Sequence, residues 1–145
     1  MATLPNGKPI DMDMLEVAME DSSMMNTYYL NTLTGEVLFL SEDDSFSNEH
    51  EKQLEKIDGS SDYTRIERIP SSEAYQWMVN FVNEIVTPKD EHVAEKLSIA
   101  LMGKGAFRRF KDVLHTTDDR WVQAWYDWKS HRLKEAMEAW LQSVL

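Results

Sequence analysis

No cysteine occurs among the 145 residues, which excludes disulfides, thiolate nucleophiles and cysteine-ligated metals together. Small secreted domains more often rely on disulfides, so a reducing, cytoplasmic setting is expected. Long apolar runs are missing too. A membrane helix needs about 20 consecutive apolar residues, and a signal peptide needs a basic start followed by an apolar block. The stretch 1–21 instead carries Asp11, Asp13, Glu16, Glu20 and Asp21, and the expectation is a soluble chain with no membrane partner. Positive charge is scarce: 15 Lys and Arg against 26 Asp and Glu leave a net charge of −11. Such a surface repels nucleic acid and anionic lipid at long range, although a local basic patch can overcome this at contact.

The motifs that carry chemistry are largely absent. Neither G-x-x-x-x-G-K-[ST] nor G-x-S-x-G occurs, so a P-loop and a nucleophile elbow are excluded. The histidines His50, His92, His115 and His131 are scattered. His92 and Glu95 form a helical pair with no third ligand nearby, whereas zinc needs at least three convergent ligands. Asp43 and Asp44 resemble a calcium loop only in acidity, without its glycine and terminal glutamate, and read as a solvated charge run. No metal, cofactor or catalytic arrangement is expected, and the chain leans away from being an enzyme.

What is present organises into one domain over residues 1–145. This length is ordinary for a single core, which can bury about 68–70% of the unfolded surface without staples. Asp11 is placed to cap a first helix carrying Met14, Leu15, Ala18 and Met19 at helical spacing. Asn26–Leu33 and Glu36–Leu40 are rich in strand formers and flank Thr34-Gly35, the pattern of a β-hairpin. A polar, acidic stretch follows, crossed by a short helix around Glu49–Ile57. Tyr63–Ile69 reads as a third strand ending at Pro70, with Ile66 and Ile69 out of phase, as at an edge or bulge. Ser71 is expected to cap a helix running to Val86 with Ala74, Met78, Phe81, Val82 and Ile85 inward. Thr87-Pro88 restarts the chain before the stripe Val93, Leu97, Ala100 and Leu101, which Gly103 stops. Ala106–Leu114 is a shorter helix. Thr117 is expected to cap the last one, with a break near Ser130. The fold class is therefore α+β: a small antiparallel sheet, hairpin plus third strand, packed against four to five helices, with an all-helical C-terminal half.

Charge is distributed unevenly along this plan. Residues 1–103 hold 7 basic and 20 acidic side chains, whereas 104–145 hold 8 and 6. The basic excess begins at Gly103-Lys104-Gly105-Ala106-Phe107-Arg108-Arg109-Phe110-Lys111. Two glycines flank a lysine directly before a helix, where backbone N–H groups and the positive dipole end can meet an anion. Gly103, Lys104, Gly105, Arg108, Arg109 and Lys111 are accordingly the candidate ligand- or partner-binding residues. The competing structural reading makes Gly103 and Gly105 a tight corner between helices, with Phe107 and Phe110 as core anchors. Helical spacing puts Lys104, Arg108 and Lys111 on one side. Arg109 lies about 100° away, and is expected to pair with a carboxylate of its own domain. Trp121, Trp125 and Trp128 form an i, i+4, i+7 stripe that is expected in the core. The alternative is an exposed aromatic face for a partner or for stacking bases, with Arg132 one turn further on.

With these residues in view, the chain resembles a bacterial family, uncharacterised protein family UPF0158. The resemblance rests on Tyr29-Leu30 with Thr34-Gly35-Glu36, on Tyr63 through Ile69-Pro70, and on Gly103 through Phe110-Lys111-Asp112. Trp121 and Trp140-Leu141 complete it, so that it covers roughly residues 10 to 142. It implies a compact bacterial cytosolic domain and carries over no activity, cofactor or catalytic residue. The leading expectation is a non-catalytic binding or regulatory module that engages a protein or a small acidic ligand through the basic, glycine-framed corner. Nucleic-acid binding through the same cations, and an enzyme acting there on a phosphorylated or carboxylated small molecule, are the alternatives.

Overall fold

The computed structural model describes residues 3–42 and 48–145; Asp43 and Asp44, read above as a charge run, lie outside them. Six helices and a three-stranded antiparallel sheet are formed by these residues, an α+β fold with a helical C-terminal half. They are α1 (Met12–Glu20), β1 (Asn26–Asn31), β2 (Val37–Ser41), α2 (Asn48–Asp58), β3 (Tyr63–Arg65), α3 (Ser71–Phe81), α4 (Glu91–Ala100), α5 (Ala106–His115) and α6 (Asp119–Val144). The chain divides into two compact units, Met1–Ile69 with Lys134–Leu145, and Pro70–Leu133.

The first unit holds the sheet, in the order β2-β1-β3. Asp11 caps α1 as its sequence position implies, accepting from the Met14 N–H at 3.2 Å, and Leu15, Ala18 and Met19 are buried. The hairpin pairs Tyr28 with Phe39 and Leu30 with Val37. Its loop is wound around Asn31, whose side-chain oxygen accepts from the Leu33 and Thr34 N–H groups at 2.9 and 3.1 Å. Gly35 closes the loop at φ 80°, and its carbonyl accepts from the Asp11 N–H at 2.9 Å. β3 is much shorter than the expected Tyr63–Ile69, because after Arg65 the chain leaves the ladder. Ile66 keeps one bond to the Tyr28 carbonyl at 2.9 Å, while the Ile69 N–H turns to the Met19 carbonyl at 2.9 Å. The out-of-phase isoleucines foreshadow this departure.

Asp21 ties α1 to the sheet. Its carboxylate accepts from the Tyr28 hydroxyl at 2.7 Å, the Asn26 amide at 2.8 Å and the Ser23 N–H at 2.8 Å. These bonds, the tyrosine's above all, hold the Asp21 carboxyl below the usual carboxylate range. Burial, and then the bond to Asp21, push the Tyr28 phenol up to about 12.

The second unit is helical. Pro70, not Ser71, is the residue before α3: its carbonyl accepts from Glu73 and Ala74, and no side chain caps the end. Beyond Phe81 the helix widens into a π-helical turn, Val82–Val86. Thr87 closes it by donating both its N–H, at 2.9 Å, and its hydroxyl, at 2.8 Å, to the Val82 carbonyl. A π-turn advances the face by one residue, so Val86 is fully buried and the expected Ile85 is only partly so. Thr87 therefore ends one helix instead of starting the next. α4 is capped by Asp90, which accepts from the Val93 N–H at 3.1 Å. Similarly, the Thr117 hydroxyl bonds back to Leu114 at 2.6 Å, and Asp118 receives the Arg120 N–H at 3.0 Å. α6 then runs unbroken through Ser130 to Val144.

Phe81, Phe110 and Trp125 make a three-ring cluster at the centre of this unit. Their centroids lie 5.0–6.5 Å apart with rings at 68–83°, the edge-to-face geometry that the aromatic quadrupole favours. Trp121 and Trp125 are buried. Trp128 is half-buried, with its ring N–H on the Trp77 carbonyl at 3.0 Å and the Arg132 guanidinium 4.3 Å from its ring centroid. The tryptophan stripe is core, as its spacing implies.

Gly35→Ala should be strongly destabilising, because a Cβ there would lie 2.0 Å from the Pro9 carbonyl oxygen. Gly7→Ala, at φ 87° with open space around it, should cost only the left-handed backbone, about 1–2 kcal/mol. Denaturant titration of the two variants checks the order. Trp125→Ala should lose about 3–5 kcal/mol, the range for emptying a large buried aromatic site, read from the denaturation midpoint with a fluorescent core reporter.

Candidate functional site

The segment Gly103–Lys111 forms the corner joining α4 to α5, within the second unit. Helices end with several carbonyls that find no partner in their own ladder. Here two side chains take those of α4. The Arg109 guanidinium donates through Nε to the Ala100 carbonyl at 3.2 Å and through Nη2 to the Met102 carbonyl. The Tyr75 hydroxyl, from α3, donates to the Leu101 carbonyl between them at 2.7 Å. Arg109 also reaches the Lys104 carbonyl through Nη1. A planar cation with five fixed donors suits three converging carbonyls, and its charge opposes the negative end of the α4 dipole.

The glycines make room for this. Gly103 and Gly105 both have positive φ, 73° and 78°, which turns the chain from one helix into the next within a few residues. A Cβ on Gly105 would sit 3.2 Å from Arg109 Nη1. The expected carboxylate partner of Arg109 is thus replaced by backbone carbonyls. A side chain reaching back across a turn to cap the preceding helix leaves no mark in helical spacing, so the sequence offered no sign of it.

The remaining candidates face solvent. The side chains of Lys104, in the turn and not on the helix, and of Lys111 are exposed and form no hydrogen bond or ion pair among the described residues. Because Lys104 precedes α5, the helical spacing that grouped it with Arg108 does not apply; Arg108 and Lys111 alone share the α5 face. Arg108 is 90% exposed, and its nearest carboxylate, Asp112 one turn on, is 3.8 Å away. Such an exposed pair leaves the guanidinium largely available.

Sequence reasoning missed the apolar component. Phe110 is fully buried, but Phe107 is not a core anchor: it is 42% exposed and packs edge-to-face with Tyr75, centroids 6.5 Å apart. Ile99 and Met102, at the end of α4, are 58% and 67% exposed. The stripe pattern of α4 contained the signal, since Ile99 falls off the buried positions Ala94, Leu97, Ala100 and Leu101. The corner therefore combines three free or weakly engaged cations with three exposed apolar side chains on a backbone fixed by Arg109. Among the described residues no three His, Asp or Glu side chains converge as a metal would require, and no helix is long and apolar enough to cross a membrane.

The chain belongs to the uncharacterised protein family UPF0158, whose model matches residues 8–144. No curated protein and no solved structure matches the chain.

Arg109→Ala should lower stability by about 1–2 kcal/mol, the scale of charge-assisted hydrogen bonds that are partly exposed. Arg109→Lys should restore little of it, because a point charge cannot span three carbonyls. Urea denaturation followed by tryptophan fluorescence checks both.

Proposed function

We propose that this chain is a non-catalytic binding module of the bacterial cytosol, and that it takes an acidic protein partner at the α4–α5 corner. The observation that carries this reading is the coincidence at one helix corner of Lys104, Arg108 and Lys111 with the exposed Ile99, Met102 and Phe107. An interface core needs apolar side chains that exclude water, and complementary charge around it steers and selects the partner. On a chain of net charge −11 these three cations stand close together in sequence, so an acidic partner meets attraction at this corner and repulsion over most of the remaining surface.

The nucleic-acid alternative loses its stacking element, because Trp121 and Trp125 are buried and Trp128 is covered by Arg132. The net charge opposes it as well. The catalytic alternative draws no support from the corner, whose cations line an exposed turn instead of an enclosed pocket.

Affinity capture from native bacterial lysate, followed by direct titration of the retained protein, tests the proposal. The double variant Lys104→Ala/Arg108→Ala should lose an acidic partner that the wild type retains, while its stability stays within about 1 kcal/mol because both side chains are exposed. The same retained set on wild type and variant would contradict the proposal. So would tight binding of mixed-sequence oligonucleotides with a steep negative salt slope, the signature of phosphate contacts.

A further inference from the structure

The N-terminal segment of the first unit carries a feature that neither the corner nor the sheet accounts for. Thr3 and Pro9 face each other across a short loop. The Leu4 N–H closes it on the Lys8 carbonyl at 2.8 Å, and the Gly7 N–H donates to the Leu4 carbonyl at 2.9 Å. Pro5 and Asn6 fill the centre of the turn, and Gly7, at φ 87°, supplies its left-handed residue, the residue order such a turn favours. Leu4 anchors the loop at 2% exposure, whereas Asn6 and Gly7 are exposed.

Asn6 also ties the loop to the β1–β2 hairpin. Its side-chain nitrogen donates to the Leu33 carbonyl at 3.0 Å, and its side-chain oxygen accepts from the Lys8 N–H at 3.0 Å. Of the six asparagines in the chain, Asn6 alone precedes a glycine. Without a Cβ on the next residue, the following backbone nitrogen can approach the asparagine amide carbon unhindered. No atom beyond the chain neighbours lies within 4 Å of where a Gly7 Cβ would stand, so nothing else screens the pair.

We propose that Asn6 is a modification site: it deamidates spontaneously, the folded loop restrains the reaction, and its completion unties the loop from the hairpin. Base removes the Gly7 amide proton, and the nitrogen attacks Asn6 Cγ. A bond forms between this nitrogen and Cγ, the Cγ–Nδ2 bond breaks, and ammonia leaves with a proton taken from water. Water then opens the resulting succinimide ring. Cleavage of the new bond gives aspartate, and cleavage of the original peptide bond gives isoaspartate. Three hydrogen bonds oppose the first step. The Leu4 carbonyl holds the Gly7 proton, and both Asn6 side-chain bonds must break before Cγ can swing onto the Gly7 nitrogen. Afterwards an ionised carboxylate, which only accepts, stands where an amide donated, so the bond to Leu33 cannot re-form. Asp11 keeps its bond to the Gly35 carbonyl at 2.9 Å, which confines the release to the loop.

The full chain is incubated in mildly alkaline buffer, with and without concentrated urea, and its asparagines are followed by peptide mass mapping that resolves aspartate from isoaspartate. Asn6 should convert before the other five in both conditions and yield both products. Conversion should be at least about tenfold slower without urea, given three hydrogen bonds to break. In urea, where the turn is gone, Gly7→Ala should slow it through the bulk of the Cβ. Asn6→Asp reads the consequence directly: the Leu4 and Gly7 amides should exchange with solvent at least about fivefold faster, the scale of one lost hydrogen bond. The Asn6 side chain is exposed, and an unchanged amide spectrum beyond the loop and Leu33 shows that the fold is kept. Earlier conversion of another asparagine, equal rates with and without urea, aspartate without isoaspartate, or unaltered exchange in Asn6→Asp would each overturn the proposal.

Discussion

Three backbone carbonyls converge on the Arg109 guanidinium, from Ala100, Met102 and Lys104. The way α4 hands over to α5 depends on them. Without that cation the last carbonyls of α4 would turn to water, and two glycines in left-handed conformations would join helices with little to hold their angle. With it, Lys104 and Met102 are fixed by their own main chain, and their side chains are left to project. The Tyr75 hydroxyl adds a second clasp from α3, and the same ring supports Phe107. One structural arginine thereby determines what its neighbours Lys104 and Arg108 can present. The division of labour also explains why adjacent arginines differ: Arg109 acts on backbone, whereas Arg108 is almost wholly in solvent.

Much of this fold was legible in the sequence, and the failures share a cause. Asp11 as a cap, the hairpin across Thr34-Gly35, the tryptophan stripe and the stop at Gly103 all follow from local chemistry: a carboxylate near free N–H groups, strand formers around a turn, and apolar side chains at helical spacing. The caps expected at Ser71, Thr87 and Thr117 were displaced by one to three residues. Each of these residues lies next to a better or differently placed group, Pro70, Asp90 or Asp118. At Thr87 the hydroxyl does bond the backbone, but it closes the preceding π-turn. A π-turn leaves no compositional trace, so the exchange of Ile85 for Val86 in the core could not be read from periodicity.

The candidate site was half legible. Its cations and glycines stand out because basic residues are rare before Gly103 and because two glycines bracket a lysine. The helix-side grouping of Lys104 with Arg108 failed, since it assumed helical geometry two residues before α5 begins. The exposed Phe107 was hidden by its type: a phenylalanine three residues from the fully buried Phe110 reads as a second anchor. Whether such a ring faces in or out depends on what α3 presents to it, here the ring of Tyr75 instead of a gap to fill.

The backbone order of Gly103, Lys104 and Gly105 tests the role given to Arg109 most directly. In ¹⁵N relaxation of the wild type these three amides should be as rigid as the flanking helices, with order parameters near about 0.85, and in Arg109→Ala they should fall below about 0.6 while α4 and α5 keep theirs. Low order at the turn in the wild type, or values unchanged by the substitution, would contradict it.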